Sequence, residues 1–246
     1  NPDERRLFEK LLGDGSQWGI SLSYATQERP RGIAEAFSIG ADFIDGQSCA
    51  LILGDNIFHG DGLIERLKYA RLQVEAQTHG AHVFTYPVRD PRQFGVADVD
   101  QSGQVIGLQE KPQEPRSNTA VVGLYFYDDR VVDLAQRVTP SHRGELEITT
   151  VNELYLQLDA LHATPLGRGW AWFDTGTHED MMRAASYVHA LEQRTGYKIC
   201  APEEIALRQG YITQDHFERL AFEMGKSSYG QYLRSLSDSE VTDKSG

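Results

Sequence analysis

The sequence predicts an α/β fold: a sheet assembled from βαβ units, a meander added to it, and a small helical appendage at the C-terminal end. Three observations carry this. Between residues 22 and 88, apolar strand-like runs alternate with helix-like stretches, the pattern of parallel strands joined by crossover helices. From 94 to 127 the helix-like stretches vanish and short strands succeed one another across turn signals. After Gly196 only helical periodicity remains, so an α/β domain over 1–195 is expected to precede an appendage over 196–246.

The elements follow in order. Pro2, Asp3 and Glu4 mark a first helical turn, Leu7, Leu11 and Leu12 share one face, and Gly13 or Gly15 ends the helix. Strands are expected at 22–27, 49–53 and 82–88, with helices at 32–44 and 62–78 between them. GVADVD, QVIGLQEK and AVVGLYFY supply the meander, broken by the turn QSG and the loop PQEPRSN. Helices at 130–138 and 147–158, strands near 161–166 and 170–173, and a long helix over 178–194 complete the α/β part. PEEIALRQG, ITQDHFERLAFEMG and YGQYLRSL read as three short amphipathic helices. The polar SDSEVTDKSG behind them is expected to fray.

Charge then narrows the function. The 246 residues carry 24 Lys and Arg against 36 Asp and Glu, a net charge of −12, so there is no basic field for nucleic-acid phosphates. The longest apolar run, AVVGLYFY, is too short to cross a membrane. An anionic substrate must then be held by a few placed cations, by backbone N–H groups or by a divalent metal, which points to Mg²⁺. Cys49 and Cys200 have no CxxC spacing and read as reduced thiols of a cytosolic, cytoplasmic protein. His79 and His82 in HGAH lack a third ligand for zinc. GxSxG, HExxH and GxxxxGK[ST] strings are absent, which removes the usual marks of three common enzyme classes.

Four strings carry chemistry. In CALILGDN an apolar strand delivers Asp55 and Asn56 to its carboxyl end, where open parallel sheets bind ligands. Asp55 is either a hard oxygen ligand for Mg²⁺ or part of an Asp-Asn turn. WAWFDTGTHED repeats the form: Asp174 leaves an aromatic strand before Thr175, Gly176 and Thr177, and is either a second metal ligand or a helix cap. GLQEKP sets Glu110 beside Lys111, suited to sugar hydroxyls and a phosphate, or simply a solvated surface pair. Consecutive strand side chains point to opposite faces, so both reach one ligand only if the strand bulges or ends there, as Pro112 allows. In RGELEIT, Arg143 suits bidentate phosphate binding, while Glu145 and Glu147 can serve the helix N-terminus.

Taken together and in order, QERPRGIAEAF, LILGDNIFHG, RQFGVADVD, LQEKPQEPRSN, AVVGLYFYDDRVV, RGELEIT, GRGWAWFDTGTH and CAPEEIALRQG resemble the bacterial glucose-1-phosphate thymidylyltransferases over nearly the whole chain. The resemblance implies a Rossmann-like mixed sheet of the sugar nucleotidyltransferase type and the reaction of dTTP with glucose 1-phosphate to give dTDP-glucose and pyrophosphate. It implies that Gln27, Pro30 and Gly32 line the thymidine pocket and that Asp55 and Asp174 hold Mg²⁺. Phe94, Gly95, Glu110 and Val121 would line the glucose site, with Asn56 among the substrate contacts, and Lys111 and Arg143 would hold the sugar phosphate. Asp55, Lys111, Arg143 and Asp174 make up the implied catalytic set. Phe94 stands where the family commonly has Tyr, which removes a hydroxyl; GLQEKP replaces SLEEKP, Val122 stands for Thr, and Thr150 for Asp.

The resemblance further implies a homotetramer with a second nucleotide site at a subunit interface, to which Arg168 and the EEIALR helix correspond. Family members begin with a strand and a GGxGTRLxPxT loop followed by a Lys, which hold the triphosphate. This chain, whose opening has neither a signal-peptide core nor that loop, reads as entering mid-fold. As given it is expected to be inactive and, with an uncovered strand edge, poorly soluble. Two other readings stay open: a nucleotidyltransferase for UTP or another sugar, and a non-catalytic nucleotide-binding subunit.

Overall fold

In a computed structural model of the chain, the described residues are 2–76, 80–100 and 104–239. The QSG turn and His79 lie outside them. Helices α1 (Pro2–Leu12), α2 (Glu35–Ile39) and α3 (Ala41–Ile44) precede strands β1 (Cys49–Ile52) and β2 (Asn56–His59), then α4 (Leu63–Glu75) and β3 (Ala81–Pro87). Strands β4 (Gly95–Val99), β5 (Val105–Glu110) and β6 (Thr119–Tyr127) form the meander, followed by α5 (Val131–Gln136), α6 (Ile148–Gln157), β7 (Leu161–Pro165) and β8 (Ala171–Asp174). Helices α7 (His178–Thr195), α8 (Pro202–Arg208), α9 (Gln214–Glu223) and α10 (Ser228–Ser239) close the chain.

Contacts divide the chain into two units, Gln27–Ala184 and a second made of Asn1–Thr26 with Ala185–Gly246. The first holds a six-stranded sheet in the order β5-β4-β6-β3-β7, with β1 also paired to β6. Its core is written into β6. Ala120, Val122, Leu124 and Phe126 join one apolar cluster with Ala70 and Val74 of α4, while Val121, Tyr125 and Tyr127 join another with Phe37, Leu134 and Val151. AVVGLYFY is therefore continuously apolar because both faces of its strand are covered. β3 takes one edge of β6 and pairs antiparallel with it, so β1 and β4, both antiparallel, share the other edge end to end.

The sheet is mixed. A mixed sheet is what the resemblance implies; only β3 and β7 run parallel among the described ladders, so the parallel part expected from the alternation over 22–88 is small, because the long β6 pairs antiparallel with β1, β3 and β4. Residues 22–27 form no strand and have no ladder partner among the described residues. The single helix expected over 32–44 starts only at Glu35 and breaks at Gly40. β2 is an added element, paired antiparallel with β8 in a two-stranded ribbon; the four residues NIFH between two GD pairs are too short a run to read.

In the second unit, buried Phe217, Ala221 and Leu233 form a cluster with Ala206 and Ile212. Glu203 is buried there because the Trp18 indole N–H (3.0 Å) and the Tyr229 hydroxyl both donate to its carboxylate. The last helix runs on to Ser239, past the start of the stretch expected to fray.

Candidate functional site

The site is assembled from strand ends of the Gln27–Ala184 unit. β1 stops at Ile52, and Leu53 and Gly54 lead to Asp55 and to Asn56, the first residue of β2. Asn56 stands opposite Asp174, the last residue of β8. Two carboxylates far apart in sequence are thereby neighbours: a Cβ built on Gly176 would meet Asp174 Oδ1 at 3.3 Å and Asp55 Oδ2 at 3.9 Å. Thr175 clamps the turn, its N–H and its hydroxyl each donating to Asp55 O at 2.8 Å.

Thr177 caps α7, accepting the Asp180 N–H at 3.1 Å and donating to Asp180 Oδ2 at 2.6 Å. The helix end thus needs nothing from Asp174, which accepts the Gly176 N–H at 3.2 Å. Burial pushes the Asp174 carboxyl above its ordinary range against the Gly176 N–H; the charges of Asp55 and Asp180 add to the rise, and Lys111 opposes it.

Two hard oxygen groups placed this close, the charge of Asp55 adding to the rise at Asp174, suit a small divalent cation. Mg²⁺ is commonly held by one or two carboxylates together with phosphate oxygens and water. Among the described residues no group of three or more His, Cys, Asp or Glu side chains is placed to hold a metal, so a cation here would take its other ligands from substrate and solvent. The pair fits Mg²⁺ on that ground.

Glu110 ends β5, and Lys111 takes a φ of 40°, a left-handed backbone that residues before proline seldom adopt. The strand stops there instead of continuing its alternation, and the Lys111 charge reaches both Glu110 and Asp174. The Thr149 hydroxyl donates to Glu110 Oε2. A Cβ on Gly95 would lie 2.9 Å from Thr149 Oγ1, 3.6 Å from Glu110 Oε2 and 4.0 Å from Val121 Cβ, so these four residues border one small space. Arg143 Nη1 is 3.4 Å from both Glu110 Oε1 and Glu147 Oε1, and Nη2 is 3.0 Å from Glu145 Oε1. Burial pushes the Glu110 carboxyl up; the Thr149 hydroxyl opposes this, Glu147 adds to it, and Lys111 and Arg143 oppose it.

Beside these groups opens a pocket of about 950 Å³, lined by Phe94, Lys111, Trp172, Phe173, Asp174 and Gly176 among others. The Phe94 and Trp172 rings lie 5.0 Å apart and tilted. Gln27 is committed within its loop: its Nε2 donates to Gly32 O at 3.0 Å and to Glu35 Oε2 at 2.7 Å. Gly32 joins that loop to the Arg143 segment, since Leu146 N donates to Arg31 O at 2.6 Å and Ala34 N to Leu146 O at 3.1 Å. Pro30 is exposed beside it.

The structure therefore brings together Asp55, Asp174 and Lys111, sets Gly95, Glu110, Val121 and Arg143 beside them, and ties Gly32 to the segment that carries Arg143. Asn56, read as a substrate contact, has its amide oxygen engaged by Gly123 and Trp172 and its nitrogen donating to Asp55. Thr149, Thr175 and the Trp172 N–H escaped the sequence reading. Thr149 stood in the quoted RGELEIT string, and Thr175 and Trp172 in WAWFDTGTHED; the roles of the latter two had no signal, because the pairing of β2 with β8 gives them their partners.

With the geometry in place, comparisons with known proteins converge. The family model described as Nucleotidyl transferase matches residues 1–190. A glucose-1-phosphate thymidylyltransferase of Xanthomonas campestris pv. campestris (strain B100) is 51% identical over 235 residues, which cover 96% of this chain and 78% of the relative. The enzyme of that name from Neisseria meningitidis serogroup A is 48% identical, covering 96% and 80%. A solved Bacillus anthracis protein described as a glucose-1-phosphate thymidylyltransferase, in complex with a sucrose, matches with a TM-score of 0.65 and 36% identity over 74% of this chain and 71% of that one.

Proposed function

The chain belongs to the nucleotidyl transferase family and, within it, to the glucose-1-phosphate thymidylyltransferases, and from that premise we propose that it serves the reaction of dTTP with glucose 1-phosphate to give dTDP-glucose and pyrophosphate. The observation that carries this reading is the convergence of Asp55 and Asp174 on the space beside Gly176, within reach of the Lys111 charge.

In this reading Glu110 accepts sugar hydroxyls in the space bordered by Gly95 and Val121. Lys111 and Arg143 hold the phosphate, Arg143 exchanging one of its three carboxylate partners for a bidentate phosphate contact. Fixing the phosphate monoester near the α-phosphorus lowers the entropic part of the barrier, and no general base is needed because the monoester is anionic at neutral pH. Asp55 and Asp174 would hold Mg²⁺, which when bound neutralises charge on the reacting phosphates. Gln27, Pro30 and Gly32 would face the base. We extend the reading to a homotetramer working in the cytoplasm, in keeping with the free thiols of Cys49 and Cys200, and to a second nucleotide site at a subunit interface.

The test is calorimetric binding of dTDP-glucose and UDP-glucose to the chain, with and without Mg²⁺. dTDP-glucose is expected to bind at least about tenfold tighter, a preference of about 1.4 kcal/mol, and Asp55→Asn and Asp174→Asn to abolish the metal dependence. A folded chain that binds neither sugar nucleotide, or whose metal dependence survives both substitutions, refutes the reading.

A further inference from the structure

The Asn56 side chain joins three elements. Its Oδ1 accepts the Gly123 N–H of β6 at 3.0 Å and the Trp172 indole N–H of β8 at 2.7 Å. Its Nδ2 donates to Asp55 Oδ1 at 2.9 Å. An amide oxygen has two lone pairs, and both are occupied here by N–H donors. Turned over, the amide would aim its own NH₂ at those two donors and its oxygen at a carboxylate, losing three hydrogen bonds at once. The orientation is therefore fixed, and with it the one group that can face Asp55.

The surroundings are shaped for this arrangement. A Cβ on Gly123 would come within 2.6 Å of Asn56 Oδ1, so β6 leaves room for the amide only by having no side chain there. Trp172 is 9% exposed and packs in the apolar cluster under the ribbon, which holds its N–H rigidly. Asp55, by contrast, is exposed. An exposed carboxylate samples several rotamers unless something holds it.

We propose that Asn56 is a positioning residue that presents the Asp55 carboxylate to a divalent cation, with Trp172 and Gly123 holding Asn56 in place. The proposal rests on the reading of Asp55 and Asp174 as a cation site. Groups that orient metal ligands commonly change metal affinity 10–100-fold when removed.

The experiment titrates Mn²⁺ alone into the full chain, reading free ion by electron paramagnetic resonance, with thermal melting and near-ultraviolet circular dichroism recorded for each variant. Asp55→Asn is expected to lose the bound ion. Asn56→Ala is expected to weaken it by about tenfold or more. Trp172→Phe keeps an aromatic ring in the cluster while removing the N–H along with the five-membered part of the indole, so it should weaken binding about threefold; its melting temperature reports the packing lost, and it carries the test if Asn56→Ala melts early. A brace that served stability alone would lower the melting temperature and leave Mn²⁺ affinity unchanged, and that result overturns the proposal. Loss of binding in Asp55→Asn with parental affinity in Asn56→Ala and Trp172→Phe overturns the brace and leaves the cation site standing. Parental affinity in Asp55→Asn overturns both.

Discussion

Replacing Gly32 by Ala gives a perturbation whose size can be worked out from backbone geometry. Gly32 has a φ of 109°, and its Cβ would lie 2.4 Å from both N and O of Leu146. These are backbone atoms and cannot rotate away. The positive φ alone costs an L-residue on the order of 1–3 kcal/mol. Relieving the contact means separating the two segments, which breaks the bonds from Leu146 N to Arg31 O and from Ala34 N to Leu146 O, at roughly 1 kcal/mol net each. The expected total is about 3–5 kcal/mol, a large fraction of the ~5–15 kcal/mol that holds a domain together. Gly144 supplies the control: its φ is 78°, but nothing lies within 4 Å of its Cβ position. Gly144→Ala carries the backbone strain without the collision and should cost only about 1–2 kcal/mol. Urea unfolding followed by circular dichroism would separate the two, and dTDP-glucose affinity should fall further for Gly32→Ala, because the Gln27 loop moves. If both variants lose the same stability, the tie between residues 31–34 and Leu146 is not what holds that loop.

Substitutions at two more positions test the electrostatics of the site. Because burial raises the Glu110 carboxyl above its ordinary 4.5, the folded state holds that proton more tightly than the unfolded chain, and ionisation costs stability as pH rises from about 4.5 through the raised folded value. Glu110→Gln should therefore raise the melting temperature at pH 7 and give no gain below about pH 4, as a pH series of thermal melts would show; an equal gain at both ends contradicts the assignment. Arg143→Ala removes the cation shared by Glu110, Glu145 and Glu147, and with Glu147 largely buried it should cost about 1–3 kcal/mol. Arg143→Lys should recover much of that stability but not the affinity for glucose 1-phosphate, since an ammonium cannot make the bidentate contact; equal binding by Arg and Lys would show that only charge matters.

What could be read from the sequence depended on whether a signal was local. β3, β5 and β6 were legible as uninterrupted runs, and α4 by its periodic Leu63, Leu67, Ala70 and Val74. Sheet direction was not, because alternation of elements does not say which strand lies beside which. The long β6 draws β1, β3 and β4 antiparallel to itself. Residues 22–27 were misread for a related reason: apolar composition states a tendency, and a strand also needs a neighbour to complete its hydrogen bonds. At the site, Asp55, Glu110, Lys111 and Asp174 stood out because they follow or end apolar runs, and Arg143 as a cation beside the acids of a helix start. Their meeting could not be derived from spacing, and the amide of Asn56 could not be assigned a direction until Gly123 and Trp172 were in place.

β6 also acts as a measuring rod. Val121, beside Gly95, and Gly123, against the Asn56 amide, lie two residues apart on the strand, a step of at most about 6.6 Å set by covalent geometry. β4 abuts the strand at Ala120 and β1 at Leu124, so the interval between the space at Gly95 and the Asp55–Asp174 pair is ruled off within a single stretch of backbone. Altered sugar preference should therefore arise in the 88–94 segment along the pocket rim, while insertions or deletions between positions 120 and 124 would shift both halves of the site out of register together.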